Sequence, residues 1–272
     1  MHVGFIGLGS QGAPMARRIA EAGHGTTLWA RRAASLEPFA DTAAKTAATP
    51  AELAAACDLV CVCVVDDTDV EEVLTGENGV LAGLRPGGVI AVHSTVHPDT
   101  CHRLAEVAAR QDVRLVDAPV SGGGGAAAEG RLLVMAGGDA DAVELCRPVF
   151  AAYASPVIHT GPLGSGQLTK LLNNLLFTAH LATAASTFAL GRELGVDTAG
   201  LAEVITHGTG TSFALTRVHA AGGALDRMAP VAGPLLQKDV RILTELARAA
   251  DADPGAVLAA ADAALGLMGH RR

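Results

Sequence analysis

The sequence predicts an α/β chain: an N-terminal doubly wound sheet over residues 1–162, followed by an all-α C-terminal domain over 163–272 with a long interdomain helix. Three observations predict it. Short apolar runs alternate with helical stretches through the first half, as βαβ units do. Strand signals stop after Gly161, where a proline-free helical run begins after Pro162. Half of the 272 residues are apolar, which supplies a core for one large or two ordinary domains.

Element by element, His2 to Ile6 reads as a strand, Gly12 to Ala22 as a helix and Thr26 to Ala30 as a second strand. Thr49, Pro50 and Glu52 form a capping box with proline at the first helical position, ahead of the apolar strand Leu59 to Val65. Val89 to His93 is a strand, Pro98 to Arg110 a helix, and Val113 to Asp117 and Leu132 to Ala136 are strands. A helix from Asp139 to Ala151 and a short strand, Val157 to Thr160, close the region. The glycine run Gly122 to Gly125 reads as compositional bias. Gly164 to Leu194 would be a helix roughly 45 Å long, at 1.5 Å per residue. Further helices are expected over Thr198 to Thr206, Leu235 to Ala250 and Pro254 to Met268.

A net charge of −8 argues against binding nucleic acid through a basic surface. No apolar stretch reaches the roughly 18 uncharged residues of a spanning helix, and Met1 leads directly into a strand with no basic leader. A cytoplasmic protein with a small-molecule partner is expected. The five cysteines show no CxxC pair, and Cys61 and Cys63 read as core residues on one strand face. His93, His97, Cys101 and His102 match no standard ligand spacing, so no metal is expected.

Gly7, Gly9 and Gly12 form GxGxxG immediately after the first strand and at the mouth of a helix. In that context the turn Gly7, Leu8, Gly9, Ser10, Gln11, Gly12 is a dinucleotide-binding Rossmann signature, with the pyrophosphate at the helix N-terminus. NAD-preferring sites place an acid some 20 residues further on. This sequence has Trp29, Ala30, Arg31 and Arg32 there, and two guanidinium groups suit a 2′-phosphate. The expected cofactor is NADP, with NAD as the other possibility.

Three segments lie where a doubly wound sheet gathers functional groups: Ser94 and Thr95; Asp117 to Gly123; and Gly161 to Asn174. Ser121 followed by glycines offers a hydroxyl and exposed N–H groups to a carboxylate, or is a flexible turn. Seventeen basic residues are arginine and only Lys45, Lys170 and Lys238 are lysine. An ammonium can be tuned to release a proton whereas guanidinium stays charged. Lys170 and Asn174, four apart, share a helix face and are either a proton-transfer pair or an interdomain structural pair.

The sequence resembles the β-hydroxyacid dehydrogenase family, which includes 3-hydroxyisobutyrate dehydrogenase, tartronate semialdehyde reductase and the glyoxylate and succinic semialdehyde reductases. The resemblance covers nearly the whole chain and rests on GFIGLGSQGAPMARRIAEAGH, STVHP, DAPVSGG with EGRLLVMAGG, GxxGxGxxxKxxxN from Gly161 to Asn174, and Gln237, Lys238, Asp239. It implies a 6-phosphogluconate dehydrogenase-like C-terminal domain and reversible hydride transfer between NADP(H) and a short 3-hydroxy acid or its semialdehyde. It implies that Lys170 is the general acid/base, that Asn174 holds the substrate, and that Ser121, Gly122 and Gly123 bind its carboxylate. Thr95 would lie against the nicotinamide ribose, Lys238 near cofactor and substrate, and Val64 and Val65 along the cofactor cleft. A homodimer or homotetramer is implied as well.

The chain departs from the family at Gln11, where methionine is usual, in having no aromatic residue after Phe213, and in ending at Arg272 without the closing segment of many relatives. A different packing at that end is expected. Two other readings stay open: an imine reductase, which usually replaces the lysine found here as Lys170, and a non-catalytic NADP-binding module.

Overall fold

The structure, a computed structural model, describes residues 1–272. It divides into two compact units, Met1–Lys170 and Leu171–Arg272. In the first, the chain runs β1 (His2–Ile6), α1 (Gly12–Glu21), β2 (Gly25–Trp29), β3 (Lys45–Thr46), α2 (Pro50–Ala55), β4 (Leu59–Val62), α3 (Asp67–Thr75), α4 (Val80–Gly83), β5 (Val89–Val92), α5 (Pro98–Ala109) and β6 (Arg114–Asp117). These six strands lie parallel in the order β3-β2-β1-β4-β5-β6, a dinucleotide-binding strand order. The central strands are buried on both faces, which is why they read as continuous apolar runs. Phe5, Met15, Leu28 and Phe150 pack on one face, and Ile6, Leu53, Val62 and Leu104 on the other.

Beyond β6 the sheet changes direction. β7 (Val120–Ser121), α6 (Gly123–Ala128), β8 (Leu132–Gly137), α7 (Ala140–Phe150) and β9 (Ala154–Gly161) follow. β8 is antiparallel to both β6 and β7, and β9 is parallel to β8. The doubly wound sheet expected from the sequence thus carries one strand, β8, that runs against β6 and β7. The link from Ser121 to Leu132 is shorter than the dozen or so residues that a parallel crossover needs, so the chain reverses there. The glycine run is not mere composition either: it opens α6.

The expected capping box is present. Thr49 Oγ1 accepts from Glu52 N at 3.0 Å, and Glu52 Oε2 accepts from Ala48 N at 2.6 Å. β4 ends three residues before the expected Val65 because Asp66 caps α3, its carboxylate accepting from Asp69 N at 3.0 Å.

The long helix α8 (Ser165–Glu193) begins in the first unit and continues into the second, which adds α9 (Thr198–His207), α10 (Phe213–Ala220), α11 (Ala229–Ala249) and α12 (Gly255–Leu267). Their shared core includes Leu171, Leu175, Phe188, Leu215, Val240, Leu243 and Leu265. α11 starts six residues before the expected Leu235. Pro230 sits in its first turn, where a missing N–H costs nothing, and Pro234 gives up one helical bond. No helix is long and apolar enough to cross a membrane.

Candidate active site

The turn between β1 and α1 has the geometry of a pyrophosphate cradle. Gly7 has φ +96°, and a Cβ there would press on the carbonyl of Cys63. A Cβ on Gly12 would collide with the carbonyl of Gly7 and the Phe5 ring, so this glycine seats the helix against the strand. Around Gly9, by contrast, nothing stands within 4 Å of a Cβ position, which leaves room for a ligand to approach the backbone. Gln11, the N-cap of α1, makes no side-chain cap bond, and the first turn holds no acid. The N–H groups and positive end of α1 therefore meet no carboxylate from their own helix, and the residues fit a nucleotide's phosphates.

The arginine pair at the end of β2 is engaged. Arg31 donates to Asp69 at 2.9 Å and to Glu72 at 3.1 Å, both on α3, and these carboxylates raise its pKa. Arg32 is exposed beside it. The acids escaped sequence reading because α3 itself did: no helix is read between Val65 and Val89.

Three strand ends are stitched together at the other side of the turn. Val64 N donates to Ser94 Oγ at 2.8 Å, joining the segments after β4 and β5. Val65 next to it is 63% exposed. Ser94 O accepts from Gln167 Nε2 at 2.8 Å, and Val96 N donates to Gln167 Oε1 at 3.1 Å, so one carboxamide spans Thr95. Asp117, fully buried at the end of β6, accepts from Gly164 N at 2.8 Å and Gln167 N at 2.6 Å and thereby caps α8. Burial pushes its carboxyl above the ordinary value, against the pull of those two amides. Gly137 and Gly166 let this first turn lie against β8, since a Cβ on either would strike Asp117 or the backbone opposite. Lys170 stands one turn further along α8.

Ser121 is half-buried at the end of β7, and Gly122 (φ +128°) and Gly123 (φ +75°) turn the chain into α6. A Cβ on Gly124 would strike the carbonyl of Ser10, so the Ser121–Gly123 segment runs close to the glycine turn. The two lie more than 100 positions apart in sequence.

In the second unit, Asn174 Nδ2 donates to Asp239 Oδ2 at 2.6 Å, and Lys238 Nζ lies 3.3 Å from Asp239 Oδ1. Asp239 is buried and fixes the amide orientation of Asn174, a role that the sequence signalled only through the Gln237, Lys238, Asp239 run.

The histidine and cysteine cluster resolves into separate roles. His93 is buried, its Nδ1 2.6 Å from Ala118 O and its Nε2 3.1 Å from the Tyr153 hydroxyl. A carbonyl only accepts, so Nδ1–H donates to it and Nε2 accepts from Tyr153. Burial pulls the His93 pKa down to about 4. His97 caps α5. Burial pushes the Cys63 thiol up to about 12 and raises that of Cys61 well above its ordinary value, as expected of core thiols rather than nucleophiles.

The chain is similar to known dehydrogenases along most of its length. Residues 2–161 match the model of the NAD binding domain of 6-phosphogluconate dehydrogenase. Residues 164–268 match that of the NAD-binding domain of NADP-dependent 3-hydroxyisobutyrate dehydrogenase. An L-threonate dehydrogenase of Cupriavidus necator is 39% identical over 78% of this chain and 72% of its own. An NAD-dependent L-serine dehydrogenase of Pseudomonas aeruginosa is 31% identical over 91% and 85%. The crystal structure of a 3-hydroxyisobutyrate dehydrogenase from Salmonella typhimurium superposes with a TM-score of 0.85 at 30% identity, covering 99% of this chain and 93% of that one. Imine reductases, at 20% identity, share the fold alone. The chain belongs to the NAD(P)-dependent β-hydroxyacid dehydrogenases, oxidoreductases of the 3-hydroxyisobutyrate dehydrogenase type.

Proposed function

We propose that the protein transfers hydride reversibly between NADP(H) and a short 3-hydroxy acid of the 3-hydroxyisobutyrate kind, or its semialdehyde. In this reading residues 1–162 bind the cofactor and residues 163–272 serve substrate binding and oligomerisation. The observation that carries it is the first turn of α8, pinned by Asp117 and Gln167 so that Lys170 emerges from a fixed backbone. The nicotinamide supplies hydride acceptance and donation. Lys170 then handles the accompanying proton: its neutral amine takes the proton of the substrate hydroxyl in oxidation, and its ammonium returns it to the carbonyl oxygen in reduction. Asn174, oriented by Asp239, holds the substrate beside it.

Ser121 and the N–H groups of Gly122 and Gly123 bind the substrate carboxylate. Gly7, Leu8, Gly9, Ser10, Gln11 and Gly12 take the pyrophosphate. Val64, Val65 and Thr95 line the nicotinamide side, and Lys238 serves cofactor and substrate. The relatives named for L-threonate and L-serine act on hydroxy acids by their names, which supports the substrate class. Arg31 and Arg32 support NADP over NAD.

Along α8 the exposed Leu168, Leu172 and Leu176 form a stripe at four-residue spacing, which supports a homodimer or homotetramer. Five free thiols fit a reducing compartment, the cytoplasm.

The test is a spectrophotometric screen with NADP⁺ and NAD⁺ against 3-hydroxyisobutyrate, 3-hydroxypropionate, glycerate, threonate and serine, and in reverse against semialdehydes and cyclic imines. Turnover of a hydroxy acid that disappears in Lys170→Ala supports the reading. Turnover of imines alone, or tight NADPH binding without turnover, overturns it.

A further inference from the structure

We propose that Gln167 is a positioning residue for the proton transfer assigned to Lys170: its carboxamide locks the first turn of α8 to the backbone on both sides of Thr95. The inference rests on the reading of Lys170 given above.

The network that carries it is continuous and buried. Val64 N bonds Ser94 Oγ, Ser94 O bonds Gln167 Nε2, Gln167 Oε1 bonds Val96 N, and Gln167 N bonds an Asp117 carboxylate that also holds Gly164 N. Gln167 and Asp117 are fully buried and Ser94 is 3% exposed. The side chain of Gln167 uses both its donor and its acceptor on one three-residue stretch, so Thr95 cannot slide along the strand axis without breaking a bond. Its backbone is fixed in turn by Asp117. Lys170 follows three residues later on the same rigid helix, so any displacement between the Thr95 segment and α8 passes directly to the lysine. A glutamine suits the task because a carboxamide donates and accepts at once, and neither an aliphatic side chain nor a carboxylate does both.

Two variants test this. Gln167→Met keeps volume and removes both bonds. Gln167→Glu keeps them only when protonated: the acid form accepts from Val96 N and donates to Ser94 O, whereas the carboxylate faces that carbonyl with no proton. Rates are read in the reductive direction across pH, with NADPH affinity and thermal unfolding measured alongside. The ionisation of Lys170 is read independently, by the pH dependence of its acetylation followed by mass spectrometry, with Lys45 as the internal reference.

We expect Gln167→Met to lose roughly 10- to 100-fold in kcat with KM and NADPH affinity within about 3-fold. Its Lys170 labelling midpoint should move by about half a unit or more while that of Lys45 stays in place. Gln167→Glu should approach the wild-type rate at the acid end and fall away from it as pH rises. An unmoved Lys170 labelling profile in both variants, or a Gln167→Glu to wild-type rate ratio that is flat with pH, overturns the proposal. If Gln167→Met fails to fold, the Gln167→Glu measurements decide. Should the wild-type protein turn over no hydroxy acid, or Lys170→Ala remain active, the catalytic reading fails while the labelling still reports whether Gln167 governs the environment of Lys170.

Discussion

At the scale of single residues, charge placement makes two predictions. Asp69 and Glu72 hold Arg31 in ion pairs, and in the proposed NADP reading they would compete with the 2′-phosphate for it. Removing that competition with Asp69→Asn and Glu72→Gln should tighten NADP⁺ by about 2- to 5-fold, the scale of exposed ion pairs, and leave NAD⁺ within error. Arg32→Ala should weaken NADP⁺ by about 10-fold or more and again spare NAD⁺. Dissociation constants by fluorescence titration check both. His93 governs acid stability. It titrates at 6.5 when unfolded and at about 4 in the folded protein, so between those values the unfolded chain binds the extra proton. Stability is therefore full above pH 6.5, falls on acidification and levels off below pH 4. The total effect is at most about 3 kcal/mol. Denaturant unfolding across this range should show the slope, and His93→Gln should lack its contribution.

At the scale of elements, the glycine turn separates folding from binding. Gly12→Ala should lower the melting temperature, because its Cβ meets the carbonyl of Gly7 and the Phe5 ring. Gly9→Ala faces open space and should melt like the wild type while NADPH binding weakens about 10-fold or more, since the methyl group occupies the ligand's approach. A Gly9→Ala protein that melts early with normal binding would contradict this assignment. The turn, the parallel strands and α8 were legible in the sequence because each is written locally, as glycine spacing, apolar runs or helical periodicity. What was not legible depends on distant pairing. Gln167 N and Asp117 Oδ2 are 50 positions apart, and nothing in the periodicity around Asp117 announces that it caps a helix. No helix is read between Val65 and Val89, where α3 lies, and the first six residues of α11 are missed because Pro230 and Pro234 ordinarily mark a break. The reversal at β8 follows from a short connection, and the apolar run of β8 itself reads the same in either direction.

At the scale of the whole molecule, the two family matches, over 2–161 and 164–268, account for nearly the entire chain. The same polar network that caps α8 ties together the ends of β4, β5 and β6, so the segments proposed to face the cofactor and the root of Lys170 share one rigid support. The exposed leucines along α8 lead us to expect a dimer or tetramer in sedimentation at micromolar concentration, and Leu172→Arg with Leu176→Arg should shift the protein toward monomer. The central claim, that Lys170 moves the proton accompanying hydride transfer, is tested most directly by Lys170→Arg. Arginine keeps the positive charge but stays protonated. The initial rate of NADPH formation from 3-hydroxyisobutyrate, with NADP⁺ affinity measured in parallel, should fall by roughly 100-fold or more while the nucleotide still binds. A Lys170→Arg enzyme that oxidises the acid at close to the wild-type rate would contradict the account.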